Sequence, residues 1–244
     1  MEVRVVRLRY AHSDPLFWGS RLNVVSLSNV EAARALIDGK AQVGFIPVTF
    51  ALKYCEKFSI IPTYAIYSNG VVYSSRLFKG SGSGYASVSD TTVSALAVSR
   101  LLGIRFTVVN DAHGALAKFG GVLVIGDEAL RLVNSNWPHI VDTGELWRSR
   151  VGKPFVYAVM VASRGVSKDV VEYVNQAIED SLSRFEANPG VLAGEVASRL
   201  GISRGLAERY LTSGIRYRVN GDVLEGLFRE VEVLGLPNCV NIYG

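Results

Sequence analysis

Two hydrophobic periods run through this chain, and the switches between them mark its elements. Residues 3–9 alternate charged and apolar side chains with a period of two, as a half-buried strand does. Asp14-Pro15 then predicts a helix start, with Leu16, Phe17 and Trp18 as its apolar body and His12 and Ser13 left in the preceding loop. Further strands are predicted at 23–27, 41–46, 58–67, 71–78, 105–109, 121–125, 139–142 and 155–162. Helices are predicted between them at 29–38, from Pro47, from Thr91 to Leu102, over 110–119, from Gly126-Asp127-Glu128 and over 145–151. Ser28 and Glu31 have capping-box spacing, and Ser68-Asn69-Gly70 reads as the turn joining two neighbouring strands. Beyond 162 the pattern is helical at 167–187, 191–200, 203–213 and 222–234, with a short extended piece at 216–219. Leu224, Leu227, Phe228, Val231 and Leu234 form the expected buried face of the last helix.

Strands alternating with helices over residues 1–162 predict an α/β architecture with mostly parallel sheets. Ligands of such sheets bind at the carboxyl ends of strands, where several strand-to-helix joins converge. Four joins are candidates: His12-Ser13, Thr49, the run Ser89-Asp90-Thr91-Thr92, and Gly126-Asp127. The run 89–92 is the most informative, because a helix start offers unpaired N–H groups and a positive dipole end to a carboxylate or phosphate. The same residues are ordinary N-caps, and for Asp127 capping is the simpler reading. Lys79-Gly-Ser-Gly-Ser-Gly84 reads as a flexible loop near a domain crossing. The expected division is residues 1–80 with 158–244 in one lobe and 81–157 in an inserted second lobe, with the joins lining a cleft between them.

With 49% apolar and 20% charged residues, the 244-residue chain has the composition of a globular protein with a full core. No apolar run approaches the roughly 20 residues of a membrane span, and the charged N-terminal strand does not resemble a signal peptide. The expected setting is therefore cytoplasmic, away from the membrane. Cys55 and Cys239 lack metal-ligand spacing and the three histidines are scattered, so neither a metal nor another cofactor is expected. A net charge of +4 from dispersed basic residues favours an anionic partner only mildly. Glu195–Leu211 has the outline of a helix-turn-helix. Its second helix is short, carries Gly205 and Glu208, and lies in a region whose apolar faces are needed for packing, so nucleic acid is not an expected partner.

The order and spacing of several motifs resemble the chorismate dehydratase family of the futalosine route to menaquinone. They are Arg9-Tyr-Ala-His-Ser-Asp-Pro-Leu-Phe-Trp-Gly19, Ser68-Asn-Gly-Val-Val-Tyr-Ser-Ser-Arg-Leu-Phe78, Ser89-Asp-Thr-Thr-Val-Ser-Ala-Leu96, Val124-Ile-Gly-Asp-Glu-Ala-Leu-Arg131 and Asp142-Thr-Gly-Glu-Leu-Trp-Arg148, followed by Lys153-Pro-Phe-Val-Tyr157. The resemblance implies a two-lobed type II periplasmic-binding-protein-like fold with an interdomain cleft. It also implies a lyase that removes water from chorismate. His12 stands where the family usually has an active-site asparagine, so His12 is the catalytic candidate. Ser13, Thr49, Ser68, Asn69, Ser74, Ser89, Asp90, Thr91, Thr92 and Asp127 are the candidates for binding a small carboxylate substrate. The acid Asp90, facing a dicarboxylate, would repel it unless protonated or turned away. The competing reading is a non-catalytic binding protein for a small anion. Monomer and homodimer are both compatible with the sequence.

Overall fold

The computed structural model describes residues 3–244; Met1 and Glu2, just before the N-terminal pattern, lie outside the described residues. Strand β1 (Arg4–Leu8) passes through a 3₁₀ turn at Ala11–Ser13 into the short helix α1 (Asp14–Phe17). After it come β2 (Asn23–Leu27), α2 (Asn29–Ile37), β3 (Val43–Pro47), α3 (Val48–Lys53) and the long β4 (Phe58–Ser68). Helix α2 begins with the expected capping box, Ser28 and Glu31 each receiving the other's backbone N–H.

The chain then changes sheets. Strand β5 (Ser75–Lys79), β6 (Tyr85–Ser87), α4 (Val93–Leu102), β7 (Phe106–Val108), α5 (Ala112–Ala115), β8 (Gly121–Ile125), α6 (Asp127–Asn134), β9 (His139–Asp142) and α7 (Thr143–Val151) form the second lobe. Its five-stranded sheet has the order β7-β6-β8-β5-β9. Pleating sends successive side chains to opposite faces, so Phe78, Val122 and Val124 join one buried cluster and Leu77 and Leu123 another.

Strand β10 (Phe155–Ser163) returns to the first sheet, and α8 (Lys168–Ala187), α9 (Pro189–Leu200), α10 (Arg204–Arg209), a π-helical turn at Tyr210–Gly214, β11 (Arg216–Arg218) and α11 (Gly221–Leu234) complete the first lobe. That six-stranded sheet has the order β11-β4-β10-β3-β1-β2. A disulfide joins Cys55, after α3, to Cys239 in the C-terminal tail. Among the described residues no helix is long and apolar enough to cross a membrane.

Four expectations need correction. β4 and β5 do not pair as neighbours joined by a turn: residues 69–74 carry the chain from one sheet to the other, and β5 pairs with β8 and β9. Lys79–Gly84 is a loop within the second sheet, its tight path packed on the 116–120 backbone, where a Cβ on Gly80 or Gly82 would fall within 2.1 Å of a carbonyl oxygen. The sheets are mixed: β1 runs parallel to β2 and β3, whereas β10 is antiparallel to both β3 and β4. A strand leaving for an inserted lobe and the strand returning beside it necessarily run in opposite directions. Finally, α11 buries Val223, Gly226, Leu227, Glu230 and Val231 and leaves Phe228 exposed. The helix is rotated because Gly226 lies against the Pro154 carbonyl and the Glu230 carboxylate receives the Val156 N–H at 2.5 Å.

The helix pair with the helix-turn-helix outline is used for packing. Leu192, Val196, Leu200, Leu206 and Ala207 are all buried in the first-lobe core.

Candidate active site

Where β1, β3, β6 and β8 end, their following loops meet between the lobes and line a two-part cleft. The inner chamber, about 80 Å³, has apolar walls from Leu8, Ile66, Val93, Ile125, Ala158 and Ile215. Its polar groups are His12, Ser74, Ser75, Ser94, Thr92, Asn29, Tyr10 and Tyr157. The outer vestibule, about 500 Å³, is lined by Thr49, Ser89, Thr91, Asp127, Glu128, Arg9 and Arg131. Tyr10, Asn29, Pro47, Thr92 and Ile125 border both parts, so the two form one continuous site.

His12 owes its place to local sequence. Leu8 ends β1, Tyr10 is extended, and the turn at 11–13 closes through the Ser13 N–H to the Tyr10 carbonyl at 3.0 Å before Pro15 sets the first turn of α1. Asp14 anchors that helix through ion pairs to Arg7 and Arg199. The His12 Nε2 is buried and has no hydrogen-bond partner among the described residues. Burial, with the Arg7 guanidinium adding to it, lowers the imidazole pKa from 6.5 to about 3. The ring is therefore neutral at ordinary pH, with one donor and one acceptor nitrogen, and it does not titrate near pH 7 as its residue type alone suggests.

The remaining candidates divide. Thr92 caps α4 by accepting the Ala95 N–H at 3.2 Å, and Ser89 and Thr91 pair through their hydroxyls at 3.1 Å. Both arrangements leave the helix start facing the cleft. Ser74 is buried against the inner chamber and Thr49 stands in the vestibule. Ser68 is fully buried behind the chamber, its hydroxyl 2.9 Å from that of Tyr157, which does line the wall. Ser13 is also fully buried, with its Oγ unpaired, and lies outside the chamber wall. Asn69 and Asp90 are exposed and line neither part of the cleft. Asp127 is the first residue of α6, whose N-cap is Gly126, and its carboxylate receives the Ala11 N–H at 3.0 Å. Burial raises its pKa, opposed by that hydrogen bond.

Sequence reasoning did not single out Tyr10, Asn29, Ser75, Ser94 or Tyr157. Ser75 and Ser94 hydrogen-bond at 2.9 Å in the chamber wall, joining β5 to α4. Tyr10, Ser75, Ser94 and Tyr157 all fall inside the motifs quoted above, so the signal was there, but single tyrosines and serines inside strands and helices carry no distinctive spacing.

A family model described as menaquinone biosynthesis matches residues 3–232. The chain belongs to this family. A chorismate dehydratase from Thermus thermophilus is 30% identical over 96% of each chain. The fold of this member of the menaquinone-biosynthesis family also matches solved structures at lower identity. Protein AF1704 from Archaeoglobus fulgidus aligns with a TM-score of 0.77 at 18% identity, covering 96% of this chain and 98% of its own. A Candida albicans gene product described as having the generic periplasmic-binding-protein fold aligns with a TM-score of 0.72 at 10% identity, over 96% of this chain and 90% of its own. The two-lobed, periplasmic-binding-protein-like architecture expected for the family is thus the one this chain adopts.

Proposed function

We propose that this protein is a chorismate dehydratase, a hydro-lyase that removes water from chorismate to give 3-[(1-carboxyvinyl)oxy]benzoate in menaquinone biosynthesis. One observation carries the reading from family to site: an apolar chamber holding a neutral His12 whose buried Nε2 has no partner, opening directly onto the Ser89–Thr92 helix start. Loss of the C4 hydroxyl and the C3 proton makes the ring aromatic, which supplies the driving force. The protein's tasks are to hold two carboxylates and help the hydroxide depart.

Thr49, Ser89, Thr91 and Thr92 are assigned to carboxylate binding, through hydroxyls and the N–H groups of the helix start. Arg9 and Arg131 add positive charge at the vestibule. His12 is assigned the leaving hydroxyl, with Ser74 lining the same chamber. A neutral imidazole donates a hydrogen bond there, and a bound dicarboxylate favours its protonated form. No acidic residue lines the inner chamber among the described residues. The base that removes the C3 proton is accordingly assigned to the substrate's own enolpyruvyl carboxylate. The proposed compartment is the cytoplasm. The Cys55–Cys239 disulfide weighs against it outside hyperthermophiles, and thiol trapping in intact cells decides the point.

Incubation with chorismate, followed by loss of the diene absorbance and identification of the product, tests the activity. A protein that binds chorismate without consuming it belongs to the competing class, the non-catalytic anion binder. His12→Asn restores the donor usual in the family and should retain turnover. His12→Ala should lose roughly 10²-fold or more. Unchanged turnover in His12→Ala removes His12 from the mechanism.

A further inference from the structure

Helix α6 of the second lobe meets the first lobe through three side chains spaced four and three residues apart. Asp127 receives the Ala11 N–H at 3.0 Å, Arg131 Nε donates to the Leu200 carbonyl at 3.1 Å, and Asn134 Oδ1 receives the Ser203 N–H at 2.8 Å. Residues spaced in this way lie on one helix face. All three contacts pair a side chain of the second lobe with backbone of the first.

Asp127 differs from the other two in what it holds. Ala11 is the residue before His12 and opens the three-residue turn on which His12 rides; that turn has no side-chain cap of its own. One residue earlier, the Tyr10 ring lies against Gly126, where a Cβ would come within 2.9 Å of the ring. The segment carrying His12 is therefore held from the opposite lobe at two successive residues. From the sequence Asp127 reads as an N-cap or as a substrate ligand, but the N-cap is Gly126, and a carboxylate facing a dicarboxylate repels it. Its observed partner is an N–H group, which gives the acid a different task.

Resting on the chorismate dehydratase reading, we infer that Asp127 is a positioning residue: by holding the Ala11 N–H across the cleft, it sets the His12 imidazole against the substrate when the lobes are together. Closure of α6 on the first lobe and assembly of the reacting geometry are then one event. A misplacement of His12 by an ångström is enough to cost a large part of the rate.

The test compares Asp127→Ala, which removes the acceptor, with Asp127→Asn, which keeps an amide oxygen in its place. Asp127→Ala should lower kcat roughly tenfold or more with KM changed by less than about threefold. Amide hydrogen exchange of residues 10–14 should quicken in the same variant. Asp127→Asn should recover most of kcat and the slow exchange. Ala11→Pro approaches the contact from the other side. It removes the donor, and Tyr10 is already in the extended conformation that a following proline requires, φ −84° and ψ 158°. Its kcat loss should match that of Asp127→Ala, and the double variant should be no worse than either. A kcat for Asp127→Ala within twofold of wild type, Asn no better than Ala, additive losses in the double variant, or unchanged exchange would each overturn the inference. Wild-type protein that leaves chorismate untouched would instead overturn the activity reading. The exchange comparison would then decide the Asp127 contact by itself.

Discussion

His12 shows how far residue type misleads when burial is unknown. A histidine in a loop reads as a group that titrates near pH 7, and enclosure beside Arg7 takes its pKa down to about 3. The linkage has a definite sign. As pH falls below about 6.5 the unfolded chain takes up a proton that the folded chain refuses, so stability is full above that pH and is lost below it. The slope is at most about 1.4 kcal/mol per pH unit, continuing towards pH 3. Melting temperatures across pH 4–7 should show this acid slope in wild type and a shallower one in His12→Asn. Equal slopes would mean that His12 is protonated in the native protein. Glu230 illustrates the same point from the other side: it lies off the face of α11 that the pattern predicts to be buried, yet it is fully buried, and burial raises its pKa well above the usual value.

At the scale of elements, sequence was a good guide to what forms and a poor one to what each piece touches. β2 falls on its expected residues, and α2 starts with the expected capping box, because local propensity and capping chemistry decide both. Residues 69–74 cross between sheets where the sequence predicts a hairpin turn, because a turn signature specifies a reversal of direction and is silent on which sheet receives the next strand. What holds this crossing is Asp142, at the far end of β9. Its buried carboxylate receives the N–H groups of Val72 and Tyr73, pairs with Arg76 at 2.9 Å, and caps α7 through Gly144 and Glu145. Asparagine here keeps some acceptors but loses the charge. Asp142→Ala leaves Arg76 and several N–H groups without their partner and should cost about 3–5 kcal/mol, read as a lowered midpoint in urea unfolding. A loss below about 1 kcal/mol would show that the crossing is held by packing instead. The site was legible in the same partial way. Topology alone places the strand ends that carry His12, Thr49, Ser89, Thr91 and Thr92, whereas Asp90 within the same join and Asn69 in the crossing segment are exposed and line neither part of the cleft, because position in a loop does not fix which way a side chain turns.

For the whole molecule, the strand orders of the two sheets differ in what they require of the chain. In the first sheet β10 lies between β3 and β4, so the strands made from residues 4–68 cannot close ranks until residues 155–163 arrive to fill the gap. The second sheet draws all its strands from residues 75–142 and has no such dependence. Loop closure over long separations is slow and local pairing is quick. On the ribosome the inserted lobe is thus the first unit able to finish, while the earlier-made half waits as an incomplete sheet with open edges at β3 and β4. Pulsed hydrogen exchange during refolding should find β6 and β8 protected before β3 and β4, and simultaneous protection of both sheets would rule this order out. The cleft between the lobes then comes into being last, after β10 has filled the first sheet and Ile215, further along the chain, has closed the chamber wall against a lobe that has already taken its shape.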